Sequence, residues 1–162
     1  MNRPAPATNA FKLVITTLYG LEAELAEELR GLGARDIVVK NRAVECSGNQ
    51  KLMYEINIRC YTAVRVLKVL RTFRVRDERM LYKQMRSINW AEFLDATGTL
   101  AIDTVVNQSV FNNSLYVAQL AKDAIADQFR EQTGERPSVD LVNPDLRINL
   151  HMYDNYVTLS LD

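Results

Sequence analysis

Hydrophobic residues in the first half of the chain follow two periods in turn, and the order of these periods constrains the fold more than any other feature of the sequence. They recur at every second position over residues 11–17, which predicts a strand, and at helical spacing over residues 18–32, where Gly31 and Gly33 stop the helix. A hairpin, a helix capped by an asparagine and a last strand follow, at residues 36–46, Asn49–Cys60 and Val64–Arg74. Strand, helix, strand, strand, helix, strand is the split βαβ order of ferredoxin-like folds, so we predict a first α+β unit over residues 11–76.

The second half has another order: helix, short helical turn, strand, helix, strand, strand. Asp77 is placed to cap the first helix, and alternation over residues 99–106 predicts the first strand. A long amphipathic helix runs from Ser114 to about Gln132, and Gly134 stops it. Two strands then pair in phase across an Asp154-Asn155 turn of the type I′ kind. We predict a second α+β unit over residues 77–162 and a disordered leader over residues 1–10.

The long helix and the segments after it resemble a known family. The matching stretches are Asn112-Asn113-Ser114-Leu115-Tyr116 at the helix start, Lys122–Asp127 within the helix, Arg136–Asp140 and Pro144–Arg147. They are similar to the helix-and-hairpin half of a THUMP domain, the RNA-binding module attached to RNA-modifying enzymes. With the Leu18–Glu22 turn and Ile88-Asn89-Trp90, the sequence from about Phe11 to Asp162 resembles the N-terminal portion of bacterial large-subunit ribosomal RNA methyltransferases that modify the guanine 2-amino group.

The resemblance implies a ferredoxin-like domain followed by a THUMP domain that together bind RNA. The implied partners are large-subunit ribosomal RNA and a methyltransferase domain of the same polypeptide, and S-adenosylmethionine is the implied cofactor of that domain, which this chain lacks. Three alternatives stay open. In the first, the module is a scaffold that holds the catalytic domain without touching RNA. In the second, it is a small-ligand regulatory domain. In the third, it is the THUMP module of a transfer-RNA-modifying enzyme.

We expect no catalytic, cofactor or metal site within the chain itself. Asn143-Pro144 begins like the Asn-Pro-Pro-aromatic loop of amino methylases, but aspartate and leucine follow, which predicts a turn before a strand. Gly31 and Gly33 end a helix, whereas a phosphate or cofactor turn begins one. His151 is the only histidine and falls on the polar face of a strand, so it cannot take part in a histidine-based metal cluster.

Charge is unevenly distributed along a chain whose formal net charge is zero. Residues 59–86 contain nine basic and two acidic side chains, a net +7, and residues 87–162 carry a net −7. This asymmetry predicts a surface that faces a polyanion, and the alternative is an ordinary solvated basic face. Asp123, Asp127 and Glu131 are interpreted as a solvated acidic row on the long helix.

Two sets of residues are candidates for RNA binding. The resemblance implies the start of the long helix and the turn after it, with Asn113, Ser114, Lys122 and Arg136; helix capping by Ser114 and an internal salt bridge of Lys122 are the structural alternatives. Charge predicts a second set that would follow the RNA backbone without reading bases: Arg59, Lys68, Arg74, Arg79 and Lys83, with Arg86 nearby. Asp145 and Arg147 are expected to be a structural pair at a strand start.

Cysteine use and hydropathy indicate the cellular location of the protein. Cys46 and Cys60 are too few and too isolated for a disulfide framework, so we predict buried free thiols. The longest apolar runs are a few residues, far short of a membrane span, and the leader has no apolar stretch of the kind found in signal peptides. We therefore expect a cytoplasmic protein.

Overall fold

The computed structural model describes residues 10–162, which form two compact units that divide after Val69. The predicted leader lies outside the described residues apart from Ala10. The first unit contains β1 (Phe11–Thr16), α1 (Glu22–Gly31), β2 (Arg35–Lys40), β3 (Ala43–Gly48), α2 (Gln50–Arg59) and the first half of β4 (Arg65–Arg74). This is the predicted order. The boundary at Arg76 stays a prediction.

The sheet of the first unit has the strand order β2-β3-β1-β4, and all its neighbours are antiparallel. Leu13 and Ile15 point from the central strand into a core that α1 and α2 cover with Leu25, Leu29 and Ile56, all fully buried. The prediction that the first helix begins near Leu18 is wrong. Gly20 adopts a positive φ of 91°, which turns the chain so that α1 starts at Glu22, and Leu18 is left 63% exposed.

The second unit contains α3 (Glu78–Arg86), a 3-10 turn (Trp90–Glu92), β5 (Thr99–Asn107), α4 (Ser114–Thr133), β6 (Ser138–Val139), β7 (Leu146–Tyr153) and β8 (Tyr156–Leu161). The strand order is β8-β7-β5-β6, with β5 parallel to both β7 and β6 and β7 antiparallel to β8. β6 was not predicted, because two residues are too short to show a hydrophobic period.

The hairpin of β7 and β8 confirms the predicted in-phase pairing. Ile148 lies opposite Leu161, Leu150 opposite Leu159 and Met152 opposite Val157. Asp154 and Asn155 have φ values of 47° and 61°, as both central residues of a type I′ turn require. One side of α4 packs on this sheet with fully or almost fully buried residues, which are Val117, Ala121, Ala124, Ile125 and Phe129.

A buried amide joins α3, the 3-10 turn and α4. Gln128 of α4 donates through Nε2 to the carbonyl oxygens of Arg86 (2.9 Å) and Ile88 (2.6 Å), and its Oε1 accepts from the Trp90 backbone N–H (3.0 Å). The Trp90 indole donates to the Met85 carbonyl (2.8 Å), and the ring is fully buried. The end of α3 is thereby capped from a distant part of the chain.

Asp145 and Arg147 both have structural roles, but they do not pair with each other. Asp145 accepts hydrogen bonds from the backbone N–H (2.9 Å) and hydroxyl (3.2 Å) of Thr99, and Arg147 forms a salt bridge with Asp103 at 3.0 Å. Because β5 and β7 pair in parallel, Thr99 and Asp103 of β5 lie beside Asp145 and Arg147. Each of these two residues therefore bonds across to β5 and not to the other.

Cys46 is buried and Cys60 half-buried, and both are free thiols whose pKa burial raises to about 11. None of the helices between residues 10 and 162 has the length and apolar character needed to cross a membrane.

Candidate nucleic-acid interface

The start of α4 is capped by Asn113. Its Oδ1 accepts from the backbone N–H groups of Leu115 (3.0 Å) and Tyr116 (3.2 Å). Ser114 is therefore the first helical residue and not the cap; it is exposed, and its carbonyl oxygen accepts from the Thr104 hydroxyl at 2.6 Å. The Asn113 amide nitrogen has no partner within residues 10–162, so it can donate to an external acceptor such as a phosphate oxygen.

The family-implied residues do not form one site. Lys122 lies in the middle of α4, half-buried, with its Nζ 3.7 Å from Oδ1 of Asp123, so the salt-bridge alternative is present in the structure. Arg136 is exposed beyond the far end of α4, where it lines an open hollow of about 670 Å³ together with Arg130. Because α4 is 20 residues long, Asn113 and Arg136 are separated by about 30 Å along the helix.

Two of the three acidic residues on α4 bond to side chains of α3. The Arg86 guanidinium makes a two-pronged salt bridge with Glu131, and the Tyr82 hydroxyl donates to Asp127. The Arg86 pair holds the pKa of Glu131 below its ordinary value. Asp127 and Glu131 thus bond to α3 while their side chains stay 38% and 63% exposed, so the row is partly solvated as interpreted, and Arg86 is already engaged within the protein.

Four exposed cations remain without a carboxylate partner at the start of the second unit. Arg74 and Arg76 are exposed on either side of the buried Val75, and Arg79 and Lys83 lie one turn apart on the outer side of α3. Within the part of the chain that the structure describes, none of the four forms a salt bridge or a side-chain hydrogen bond. We call these four residues the α3 basic cluster.

The two acids closest in sequence to this cluster are occupied. Asp77 caps α3 by accepting from the Met80 backbone N–H at 2.9 Å. Glu78 forms a hydrogen bond with Tyr116 that raises the pKa of the tyrosine hydroxyl. The cluster therefore carries four positive charges beside two carboxylates whose hydrogen bonds go to Met80 and Tyr116 and not to the cations, and the segment from Arg74 to Lys83 has a net charge of +2. Arg76 was counted in the basic segment but not selected as a site residue; its alternation with Arg74 around the apolar Val75 is the sequence signal that could have identified it.

The other charge-predicted residues lie in the first unit. The Lys68 ammonium lies 4.3 Å from the centre of the Phe11 ring and its side chain is half-buried, so it has a packing role that the sequence did not reveal. Arg59 is the exposed last residue of α2.

No group of three or more His, Cys, Asp or Glu side chains in residues 10–162 is placed to hold a metal ion. Gly31 and Gly33 lie at the carboxyl end of α1, and Asn143 donates its backbone N–H to Asp140 at 3.1 Å in a tight turn. Neither segment fits S-adenosylmethionine, because one presents helix carbonyls and the other is closed by its own hydrogen bonds.

Two family models match the chain: the THUMP domain over residues 75–162 and the RlmL ferredoxin-like domain over residues 12–67. A ribosomal RNA large subunit methyltransferase K/L of Pseudomonas aeruginosa is 40% identical over 154 residues, covering 95% of this chain and 21% of that protein. The chain thus spans about a fifth of the length of the curated relatives it matches.

Solved structures share the fold. A predicted N6-adenine-specific DNA methylase from Listeria monocytogenes superposes with a TM-score of 0.80 at 21% identity, over 95% of this chain and 40% of that one. A 4-thiouridine synthetase in complex with RNA and ATP superposes with a TM-score of 0.59 at 12% identity, over 95% of this chain and 41% of that one.

Proposed function

Since this chain belongs to the THUMP domain family, we propose that it is the RNA-binding module of an enzyme that methylates large-subunit ribosomal RNA. In this role it holds RNA while a catalytic domain absent from the chain transfers the methyl group of S-adenosylmethionine to a guanine 2-amino group. The 40% identity with the Pseudomonas aeruginosa methyltransferase supports this choice of enzyme. The proposal places the protein in the cytoplasm, where ribosomal RNA is made and modified in bacteria.

The α3 basic cluster is the observation that carries the proposal. Long cationic side chains that are not neutralised within the protein can contact phosphates whatever the base sequence. The cluster offers four of them within ten residues of chain, while Arg86 and Lys122 are neutralised by carboxylates. Unpaired cations also suit docking to an acidic protein surface, so the cluster supports RNA binding, and the RNA titration below distinguishes it from the scaffold alternative.

The helix start is the second part of the proposed surface. Ser114 and the amide nitrogen of Asn113 are exposed where the backbone dipoles of α4 are positive. Lys122 and Arg136 belong to the family-implied set, but the Asp123 pair and the distance along α4 give them weaker support. Arg59 and Lys68 contribute, in this proposal, from the first unit.

A salt titration with matched variants tests the proposal. Arg79→Glu combined with Lys83→Glu changes the cluster by four charge units, and Arg30→Glu with Lys51→Glu makes the same net change on exposed positions of α1 and α2. If the wild type neutralises about four to six phosphates, its affinity for a structured ribosomal RNA fragment should fall by orders of magnitude between roughly 50 and 200 mM salt.

The cluster variant should bind at least about tenfold more weakly at low salt, with a log–log salt slope reduced by about two, whereas the control should match the wild type. An unchanged slope in the cluster variant would show that the cluster is a solvated face. No binding by the wild type would support the scaffold alternative. Tighter binding of a transfer RNA than of the ribosomal fragment would support the transfer-RNA alternative.

A further inference from the structure

Three loops meet at one end of the first unit. Thr17, directly after β1, donates its backbone N–H to the Arg42 carbonyl in the β2–β3 turn at 2.8 Å. Its hydroxyl donates to the Thr62 carbonyl in the loop between α2 and β4 at 2.6 Å. The backbone N–H of Val64 donates to the Thr16 carbonyl at 2.8 Å. These bonds join the loops after β1, β2 and α2 into one surface, which we call the loop end.

The loop end exposes two aromatic rings. Tyr61 is 96% exposed and Tyr19 is 77% exposed, beside the exposed side chains of Leu18 and Val64. Neither tyrosine hydroxyl has a hydrogen-bond partner in the described part of the chain. Each ring therefore keeps a large apolar surface in water without a hydrogen bond of its own to the unit.

The backbone that bears the rings is fixed by two carboxylates of α1. Glu22 accepts from the backbone N–H groups of Gly20 (2.8 Å) and Arg42 (3.0 Å). Glu28 accepts from those of Tyr61 (2.7 Å) and Thr62 (3.1 Å), and from the Thr62 hydroxyl. The loops are thus ordered before any ligand arrives, which lowers the entropic cost of binding one.

The same hydrogen bonds favour the charged form of both carboxylates. Backbone hydrogen bonds, first that of Glu22 itself and then that of Arg42, lower the pKa of Glu22. Burial alone would raise the pKa of Glu28, but the bonds from Thr62 and Tyr61 outweigh it, so that this pKa is also lowered. Both acids are therefore ionised, and attraction to the Arg42 guanidinium adds to the lowering of the Glu22 pKa, so the exposed cations of the loop end lie near two negative charges that hold its loops in place.

The cations at the loop end are Arg42 in the β2–β3 turn, Lys40 at the end of β2 and Arg59 at the end of α2. All three are exposed, and within residues 10–162 none forms a side-chain hydrogen bond or salt bridge. The backbone of Arg42 is bonded on both sides, through its N–H to Glu22 and through its carbonyl to Thr17. Exposed aromatic rings on ordered loops among unpaired cations are the combination by which proteins hold single-stranded nucleic acid.

We propose that the loop end binds an unpaired segment of RNA, with bases stacked on Tyr19 and Tyr61 and phosphates near Lys40, Arg42 and Arg59. This inference rests on the proposed RNA-binding function and adds a ligand class to it: single-stranded RNA, recognised with little regard to sequence because every base offers a flat face. The four residues of the α3 basic cluster include no aromatic side chain, and in this proposal they contact only the RNA backbone.

Two RNA probes separate this proposal from the general one: a blunt duplex, and the same duplex with a single-stranded overhang of about ten nucleotides. The wild type should bind the overhang probe more tightly. Tyr19→Ala with Tyr61→Ala should lose that preference, by about five- to a hundredfold per stacked base, and bind the blunt duplex as before. Tyr19→Phe with Tyr61→Phe should keep the preference, because stacking needs the ring and not the hydroxyl.

Tyr54→Ala is the matched control, because Tyr54 is an exposed tyrosine of the same unit that lies within α2. It should bind both probes as the wild type does. Equal affinity of the wild type for the two probes, or an alanine variant that keeps the overhang preference, would overturn this inference while leaving the proposed function in place. Failure of the wild type to bind either probe would overturn the proposed function itself. The single variants Tyr19→Ala and Tyr61→Ala should each lose part of the preference, which keeps the test valid if the double variant unfolds.

Discussion

At the scale of single residues, loss of the buried Gln128 side chain should destabilise the second unit, because its three hydrogen bonds go to backbone groups of other elements. Gln128→Met keeps the volume but leaves the Trp90 backbone N–H and the carbonyls of Arg86 and Ile88 without partners. Each buried group left without a partner costs about 1–3 kcal/mol, so we expect the free energy of unfolding to fall by about 3 kcal/mol in urea titrations.

Gln119→Met is the control, because Gln119 is exposed on the same helix. Its unfolding free energy should stay within about 0.5 kcal/mol of the wild type. If the two methionine variants were equally stable, the bonds of Gln128 would contribute no net stability.

At the scale of the secondary-structure element, Asn113 has a structural role and a proposed functional role that can be separated. Asn113→Ala removes the cap of α4 and should lower stability by about 1 kcal/mol, whereas Asn113→Ser retains a capping oxygen and should stay within a few tenths of the wild type. The serine variant lacks the free amide nitrogen, so we expect its affinity for RNA to fall a few-fold in the low-salt titration.

Asn112→Ala serves as the reference, because Asn112 is exposed directly before the cap. A serine variant at position 113 that binds RNA as tightly as the wild type would reduce Asn113 to a helix cap.

The sequence predicted the secondary-structure elements better than it predicted the contacts of single residues. Periodicity located α1 to α4 and seven of the eight strands, because each buries one regular face. It missed β6, which is too short, and it placed Leu18 in a helix because a leucine before a turn shares the spacing of the leucines after it. Whether a cation is free could not be predicted either: Arg86 and Glu131 are 45 residues apart, and only the packing of α3 on α4 brings them together.

At the scale of the whole molecule, a net charge of zero hides the segregation of its charges. We expect the protein to be retained on a heparin column at about 50 mM salt and neutral pH, as a neutral protein with evenly mixed charges would not be. Arg74→Glu combined with Arg76→Glu should elute at distinctly lower salt, because both side chains are exposed without a carboxylate partner.

The column test needs a variant with the same net charge but an intact α3 basic cluster, and Arg30→Glu with Lys51→Glu provides it. This control should elute close to the wild type. Flow-through of the wild type at low salt would mean that the basic residues do not form a polyanion-binding surface.

The place of β8 in its sheet has a consequence for synthesis on the ribosome. The first unit has all its strands once β4 has emerged, so it can fold while α4 is still being translated. In the second unit, β7 has no antiparallel partner until Val157 and Leu159 appear, and the nascent chain carries the apolar side chains of Ile148 and Leu150 without that neighbour. Until β8 is translated, the edge of β7 is unpaired, so we expect the nascent chain to be open to aggregation at this stage.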